Sequence, residues 1–184
     1  LIVCFNVVRS FLGATLRQYE FMLRGLEKTL KELENFNIPS VISFGEPKES
    51  LVKLLLDLRP STIVTDLNPL KTIVKWKEDV IRELEANVYE VDSHNIVPVF
   101  YVSQKQEYGA YTLRPKISRV LSQFLTEFPA LKKMPSSNFS FVKSPEFNVD
   151  KILSELEIDR TVLPVSAFKP GSSAATNLLS NFIA

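Results

Sequence analysis

The chain has 184 residues, 45% of them hydrophobic, with 22 basic against 21 acidic side chains and a formal net charge of +1. That length and composition fit one or at most two domains with an ordinary buried core. The charge balance argues against a dedicated electrostatic nucleic-acid binder, while leaving room for one basic face. Cys4 is the only cysteine and His94 the only histidine, so a disulfide framework, a cysteine zinc site and a multi-histidine metal site are excluded within this chain. No metal ligand set is expected. No apolar run approaches the roughly 18 residues that a membrane span needs. The opening run "LIVCFNVV" lacks the basic region and small-residue cleavage site of a signal peptide. A soluble, intracellular protein with no membrane partner is expected.

In chain order, "LIVCFNVV" is a compact β-branched run that reads as a strand buried on both faces. A short turn with Arg9, Ser10 and Gly13 leads into a helix. Its Leu16, Tyr19, Leu23, Leu26, Leu30 and Leu33 alternate steps of three and four, which draws one apolar stripe. The stripe is too short for a coiled coil and predicts a core-facing helix. The pattern then repeats: strand "PSVISFG", helix "PKESLVKLLLDL", strand "STIVTD", helix "LKTIVKWKEDVIRELE" with Trp76 inward, and strand "NVYEVD". A further apolar stretch, "NIVPVFYVS", reads as the last strand. Strands alternating with helices of this length predict crossover units and one parallel sheet. The expected fold is therefore α/β, a Rossmann-like parallel sheet flanked by helices, over residues 1–113.

Residues 114–184 carry no strand signal. They read as a helix in "RPKISRVLSQFLTEF", an irregular Pro- and Ser-rich connection in "FPALKKMPSSNFSFVKSPEF", a short helix in "NVDKILSELEI", and a last helix opening in "KPGSSAATNLLSNFIA". This stretch is expected to be a helical and irregular linker region.

In open α/β sheets, ligands bind beyond the carboxyl ends of the strands. Those positions hold Asn6 to Ser10, then Phe44, Gly45 and Glu46, then Asp66, Leu67 and Asn68, then Asp92, Ser93 and His94, and last Gln104, Lys105, Gln106 and Glu107. Gly45, Glu46, Asp66 and Asn68 are candidates for a strand-end cleft. None of the five glycines forms a dinucleotide fingerprint or a phosphate-binding loop. No serine sits in a nucleophile elbow, and His94 beside Asp92 fits a hydrogen-bonded loop better than a catalyst. No catalytic residue is expected in this chain. "YGAYTLRPKISR" interleaves Tyr108 and Tyr111 with Arg114, Lys116 and Arg119, a pattern that can meet phosphates and bases. The favoured reading of the pattern is a solvated helix start or an interdomain surface.

Taken together and in order, "FNVVRSFLGATLRQYEFMLRGL", "SFGEP", "IVTDLNPLK", "VDSHNIVP", "QKQEYGAYTLRPKI" and "FLTEFP" resemble the N-terminal α/β domain of class II cyclobutane pyrimidine dimer photolyases. The resemblance covers nearly the whole chain. It implies an α/β domain followed by a larger helical domain that holds FAD. It also implies light-driven repair of ultraviolet-induced dimers in DNA, an own C-terminal FAD domain as partner, and a monomeric parent. Some members hold a deazaflavin or folate antenna in the α/β domain, and the resemblance places that pocket at Gln104, Lys105, Gln106 and Glu107.

Family members begin with an earlier strand carrying an Arg-Asp motif, so "LIVCFNVV" corresponds to their second strand. The expectation is a fragment that starts mid-domain and stops before the FAD domain, inactive alone and marginal in stability. Tyr111 stands where class II members often have Arg, and Arg9 where they often have Pro. Two other readings stay open: a truncated, photolyase-derived interaction or signalling module without repair activity, and an unrelated flavodoxin-like nucleotide-binding domain.

Overall fold

The computed structural model describes residues 1–135 and 147–184. Most of the Pro- and Ser-rich connection expected over 128–147 therefore lies outside the described residues. The chain divides into two compact units: residues Leu1–Leu54 with Leu131–Ala184, and residues Leu55–Ala130. Residue 113, after which the sequence places the boundary, lies in the helix Ala110–Phe124.

The first unit opens with β1 (Val3–Val7), crosses through α1 (Leu16–Asn35) and returns in β2 (Ser40–Phe44). The two strands pair in parallel, with Val3 opposite Ser40 and Val7 opposite Phe44. Between β1 and α1 the chain reverses through Leu12 and Gly13, whose φ angles are +46° and +75°. Glycine occupies that region without penalty, whereas leucine is strained there. Thr15 then starts α1, with its own N–H donating to Gln18 Oε1 at 2.9 Å. This is one half of a capping box.

The expected stripe on α1 is present. Tyr19 and Leu23 are buried, and Leu16, Met22, Leu26 and Leu30 pack around them. Their core partners come from both ends of the chain: Val7 and Ile42 from the strands, and Val149, Ile152, Leu153 and Leu156 from α6 (Val149–Glu155) and the residue after it. Asn148 caps α6 by accepting the Lys151 N–H at 3.0 Å. Arg160 closes its other end by donating to the carbonyls of Leu153 and Leu156.

A row of polar side chains on α1 holds the rest of the C-terminal segment. Arg17 donates to the Leu163 carbonyl at 2.9 Å, Arg24 pairs with Asp150, and Lys28 donates to the Pro170 carbonyl at 2.8 Å. Glu32 accepts from Ser172, the first residue of α7 (Ser172–Ile183). At the start of α1, the Leu16 N–H finds the Asp159 carbonyl at 2.8 Å, which satisfies a donor that the helix itself leaves open. Residues 147–184 thus supply four of the eight buried residues of this core cluster, Val149, Ile152, Leu153 and Leu156, and add the polar tethers to α1. α2 (Pro47–Leu58) follows β2, and the division between the units falls within it.

The second unit contains β3 (Thr62–Asp66), α3 (Lys71–Ile81), β4 (Asn87–Val91), α4 (Val99–Val102) and α5 (Ala110–Phe124). β3 and β4 pair in parallel, with Val64 opposite Tyr89 and Asp66 opposite Val91. Lys77 on α3 forms an ion pair with Glu90 on β4, and Trp76, expected in the core, is half-buried.

Four expectations need correction. The strands form two separate two-stranded parallel sheets rather than one, because each pairs only within its own strand–helix–strand unit and β1 and β3 do not pair with each other. β1 is consequently not buried on both faces: Val7 is enclosed while Phe5 is 37% exposed. "NIVPVFYVS" is not a strand. Pro98 enters a single helical turn at Val99–Val102, and Asp92 fixes that turn by accepting the Val99 N–H at 2.9 Å. Finally, α5 begins at Ala110 and not at Arg114. Its first turn closes on the Gly109 carbonyl, which accepts from the N–H groups of Thr112 and Leu113 and from the Thr112 hydroxyl. Pro115 therefore lies inside the helix, where its missing N–H leaves the Tyr111 carbonyl without the usual partner.

Candidate functional site

Some of the strand-end residues singled out from the sequence are bonded to one another within each unit. In the first, Asn6 near the end of β1 is the organiser. Its side-chain amide donates to the Gly45 carbonyl at 3.0 Å, and its carbonyl oxygen accepts from the hydroxyls of Ser43 and of Ser50, the latter at 2.8 Å. Gly45 donates its N–H to the Val7 carbonyl at 2.9 Å and sits at φ +113°, a conformation that favours glycine. The Glu46 carbonyl takes the N–H groups of Glu49 and Ser50, which starts α2. Asn6, Gly45 and Glu46 are thus brought together, and the Glu46 side chain is exposed. Ser43 and Ser50 were missed: nothing in a sequence marks which serines will converge on one amide.

The adjoining Val8 carbonyl accepts the Tyr19 hydroxyl at 3.0 Å, and burial pushes that phenol above its ordinary pKa. Burial likewise raises the Cys4 thiol, which favours the neutral form.

In the second unit, Asp66 accepts the Ser93 hydroxyl at 2.6 Å, and Leu67 donates its N–H to the Val91 carbonyl at 2.8 Å. These bonds tie the ends of β3 and β4 together. Asn68 accepts the Leu70 N–H at 3.0 Å just before α3. Asp92 collects the N–H groups of Val99, His94 and Asn95 and the Asn95 amide. The Val99 bond is foremost in holding its carboxyl below the usual range. His94 therefore belongs to a folded loop, with its backbone on Asp92 and its ring exposed.

Of the four residues at 104–107, Gln104, Lys105 and Gln106 are exposed, and Glu107 is turned inward. Glu107 accepts from Lys116 of α5 and from the Ser103 hydroxyl, the latter at 2.7 Å. Lys116 also donates to Ser103 at 3.1 Å. The Lys116 ammonium, followed by the hydroxyls of Ser103 and Thr112, depresses the Glu107 pKa to about 2. The loop is thereby fastened to the first half of α5.

An apolar groove with a volume of about 280 Å³ lies in the first unit, between β1, β2 and α1, lined chiefly by Val3, Phe5, Met22, Leu26, Leu30 and Ile42. It contains none of the strand-end candidates. Among the described residues, no three His, Cys, Asp or Glu side chains are arranged to hold a metal ion, and no helix is long and apolar enough to cross a membrane.

Short parallel sheets flanked by helices, with polar loops at the carboxyl ends of the strands, define an α/β domain of the kind that carries ligands beyond its strand ends. Residues 1–135 match the pattern of the DNA photolyase family, and the chain belongs to that family. It is similar to the "Deoxyribodipyrimidine photo-lyase" of Potorous tridactylus, with 42% identity over 184 residues, 99% of this chain and 34% of that protein. It is also similar to the proteins of the same name from Arabidopsis thaliana, at 31% identity over 96% of this chain and 36% of the relative, and from Methanothermobacter thermautotrophicus, at 29% over all of this chain and 40% of the relative. The chain spans little more than a third of the length of these relatives.

Proposed function

We propose that this chain is the α/β portion of a deoxyribodipyrimidine photolyase, a protein that uses light to reverse cyclobutane pyrimidine dimers in DNA. The observation that carries the reading is the family match over residues 1–135, together with 42% identity sustained along the chain to a photo-lyase about three times as long. Electron donation to the dimer is the chemistry that FAD supplies in such a protein, and its site belongs to polypeptide beyond these 184 residues. The role of this chain is scaffold and docking surface. α7 supports that role: Leu178, Leu179, Phe182 and Ile183 lie along one side of the helix and are all exposed, Phe182 by 88%. Such a stripe calls for a packed neighbour, and the parent's own FAD domain is the partner we assign to it. The parent is expected to work as a monomer.

A deazaflavin or folate antenna is the second group the family brings. Gln104, Lys105 and Gln106 offer two amides and an ammonium, a donor set suited to a carbonyl-rich or anionic pigment. Glu107 is committed to Lys116 and Ser103 and would position that loop rather than touch a ligand. At the other strand ends, Gly45, Asp66 and Asn68 already spend their bonds on neighbouring loops, which supports a shaping role there. The test is repair: the protein encoded by the whole transcript, mixed with ultraviolet-irradiated DNA, should remove pyrimidine dimers in blue light and none in the dark. Equal dimer content in both arms would refute the reading.

A further inference from the structure

The sequence between Tyr108 and Thr126 holds three basic residues and no acidic one. The other long helices differ. α1 offsets its cations with Glu20, Glu27, Glu32 and Glu34, α2 sets Glu49 and Asp57 against Lys48 and Lys53, and α3 sets Glu78 and Asp79 against its lysines. On α5 only Lys116 is neutralised, by Glu107 from the neighbouring loop. Arg114 and Arg119 have no acidic partner among the described residues, and both side chains stand in solvent.

The exposed positions of α5 fall on one side of the helix. Tyr111, Arg114, Pro115, Ser118, Arg119 and Ser122 follow the three-and-four spacing of a single face. Tyr111 is 83% exposed and Tyr108, just before the helix, 88%. Ring faces this open to water are available for stacking. The result is a face of one sign, with hydroxyls between the cations and aromatic rings at its start.

We propose that this face of α5 is a contact surface for the phosphodiester backbone of DNA, with Arg114 and Arg119 as the phosphate-binding cations. A polyanion with regularly spaced charges complements unpaired cations one or more helical turns apart, and tyrosines beside them can meet sugars and bases. The choice of DNA over other polyanions rests on the DNA-repair reading above. The contact positions the protein on DNA and carries no sequence preference, because phosphates do not encode sequence.

The test is fluorescence anisotropy of a labelled, undamaged DNA duplex with the protein encoded by the whole transcript, titrated at several salt concentrations. Each phosphate contact contributes about −0.9 to the slope of log affinity against log salt. Over a fourfold rise in salt, two contacts therefore account for about a 12-fold loss of affinity. R114Q/R119Q should lack that 12-fold component, while R114K/R119K should keep it. K48Q/K53Q removes the same charge from α2 and should leave the slope unchanged. If the double Gln variant loses its circular dichroism spectrum, the single variants R114Q and R119Q decide, each removing about one unit of slope.

An unchanged slope in the Gln variants, or an equal change in K48Q/K53Q, overturns the proposal. So does a protein whose Arg114 and Arg119 govern binding to phosphatidylserine vesicles and not to DNA. Light-dependent repair measured on the same samples keeps the two conclusions separate. Repair with an unchanged slope leaves the photolyase reading standing and removes this one; an α5-dependent slope without repair does the opposite.

Discussion

Leu23→Ala and Ile152→Ala together ask whether residues 147–184 are part of a core or merely pass beside it. Leu23 on α1 is fully buried, and Ile152 on α6 is 8% exposed in the same cluster, with Val7, Tyr19 and Ile42 beside them. Leucine to alanine removes three carbons, worth about 2.4 kcal/mol in transfer free energy at about 0.8 kcal/mol each. The cavity left behind raises the measured range to about 3–5 kcal/mol. Ile152→Ala should cost about 2–5 kcal/mol by the same reasoning. Either value is a large share of the roughly 5–15 kcal/mol that holds an ordinary domain together. Because both residues belong to one cluster, the double variant should depart from additivity by roughly 0.5–3 kcal/mol. In the 184-residue chain, Leu179→Ala on the open side of α7, where the side chain is 57% exposed, should stay within about 0.5 kcal/mol. The assay is urea unfolding followed by circular dichroism, with midpoints compared at equal slope. An Ile152→Ala effect below about 1 kcal/mol would refute the reasoning, because α6 would then contribute no core.

Two further predictions concern single sites. Glu107 has its pKa lowered from an ordinary 4.5 to about 2 by Lys116 and the adjacent hydroxyls. Its ionised form therefore stabilises the fold above pH 4.5, and that contribution is lost as pH falls toward about 2. Glu107→Gln should lower the thermal midpoint at neutral pH, and the gap to the parent should close across that acid window. A gap that persists unchanged at the acid end would contradict the assignment. Arg59 follows α2 at φ +47° and donates its N–H to the Leu55 carbonyl, a helix-ending position that suits glycine. Arg59→Gly should raise stability by about 0.5–1 kcal/mol, and a loss in urea midpoint would show that the arginine side chain matters more than the strain.

What the sequence made legible was local and periodic. The stripe from Leu16 to Leu33 predicted α1 and its buried Tyr19 and Leu23, and the β-branched runs located the four strands found among the described residues. Of the strand-end candidates, Asn6 is bonded to Gly45 in the first unit and Asp66 to Ser93 in the second. The misses were non-local or depended on a single turn. The helix expected from Arg114 starts earlier, because the Gly109 carbonyl and Thr112 close a turn ahead of Pro115. Nothing in "NIVPVFYVS" announces that Asp92 will reach forward and bend it into α4. The tethers from Arg17, Arg24, Lys28 and Glu32 lie at helical spacing on α1, a signal that was there, but their partners are more than 120 residues away. Strand pairing is non-local in the same way, so an alternating pattern could not tell one sheet from two.

The most direct measurement is flavin content, taken side by side on the 184-residue chain and on the protein encoded by the whole transcript, each purified and scanned for visible flavin absorption. The account predicts FAD bound to the longer protein and none to the 184-residue chain, with dimer repair in light following the FAD. Stoichiometric FAD on the 184-residue chain would contradict it, and so would a longer protein that binds none.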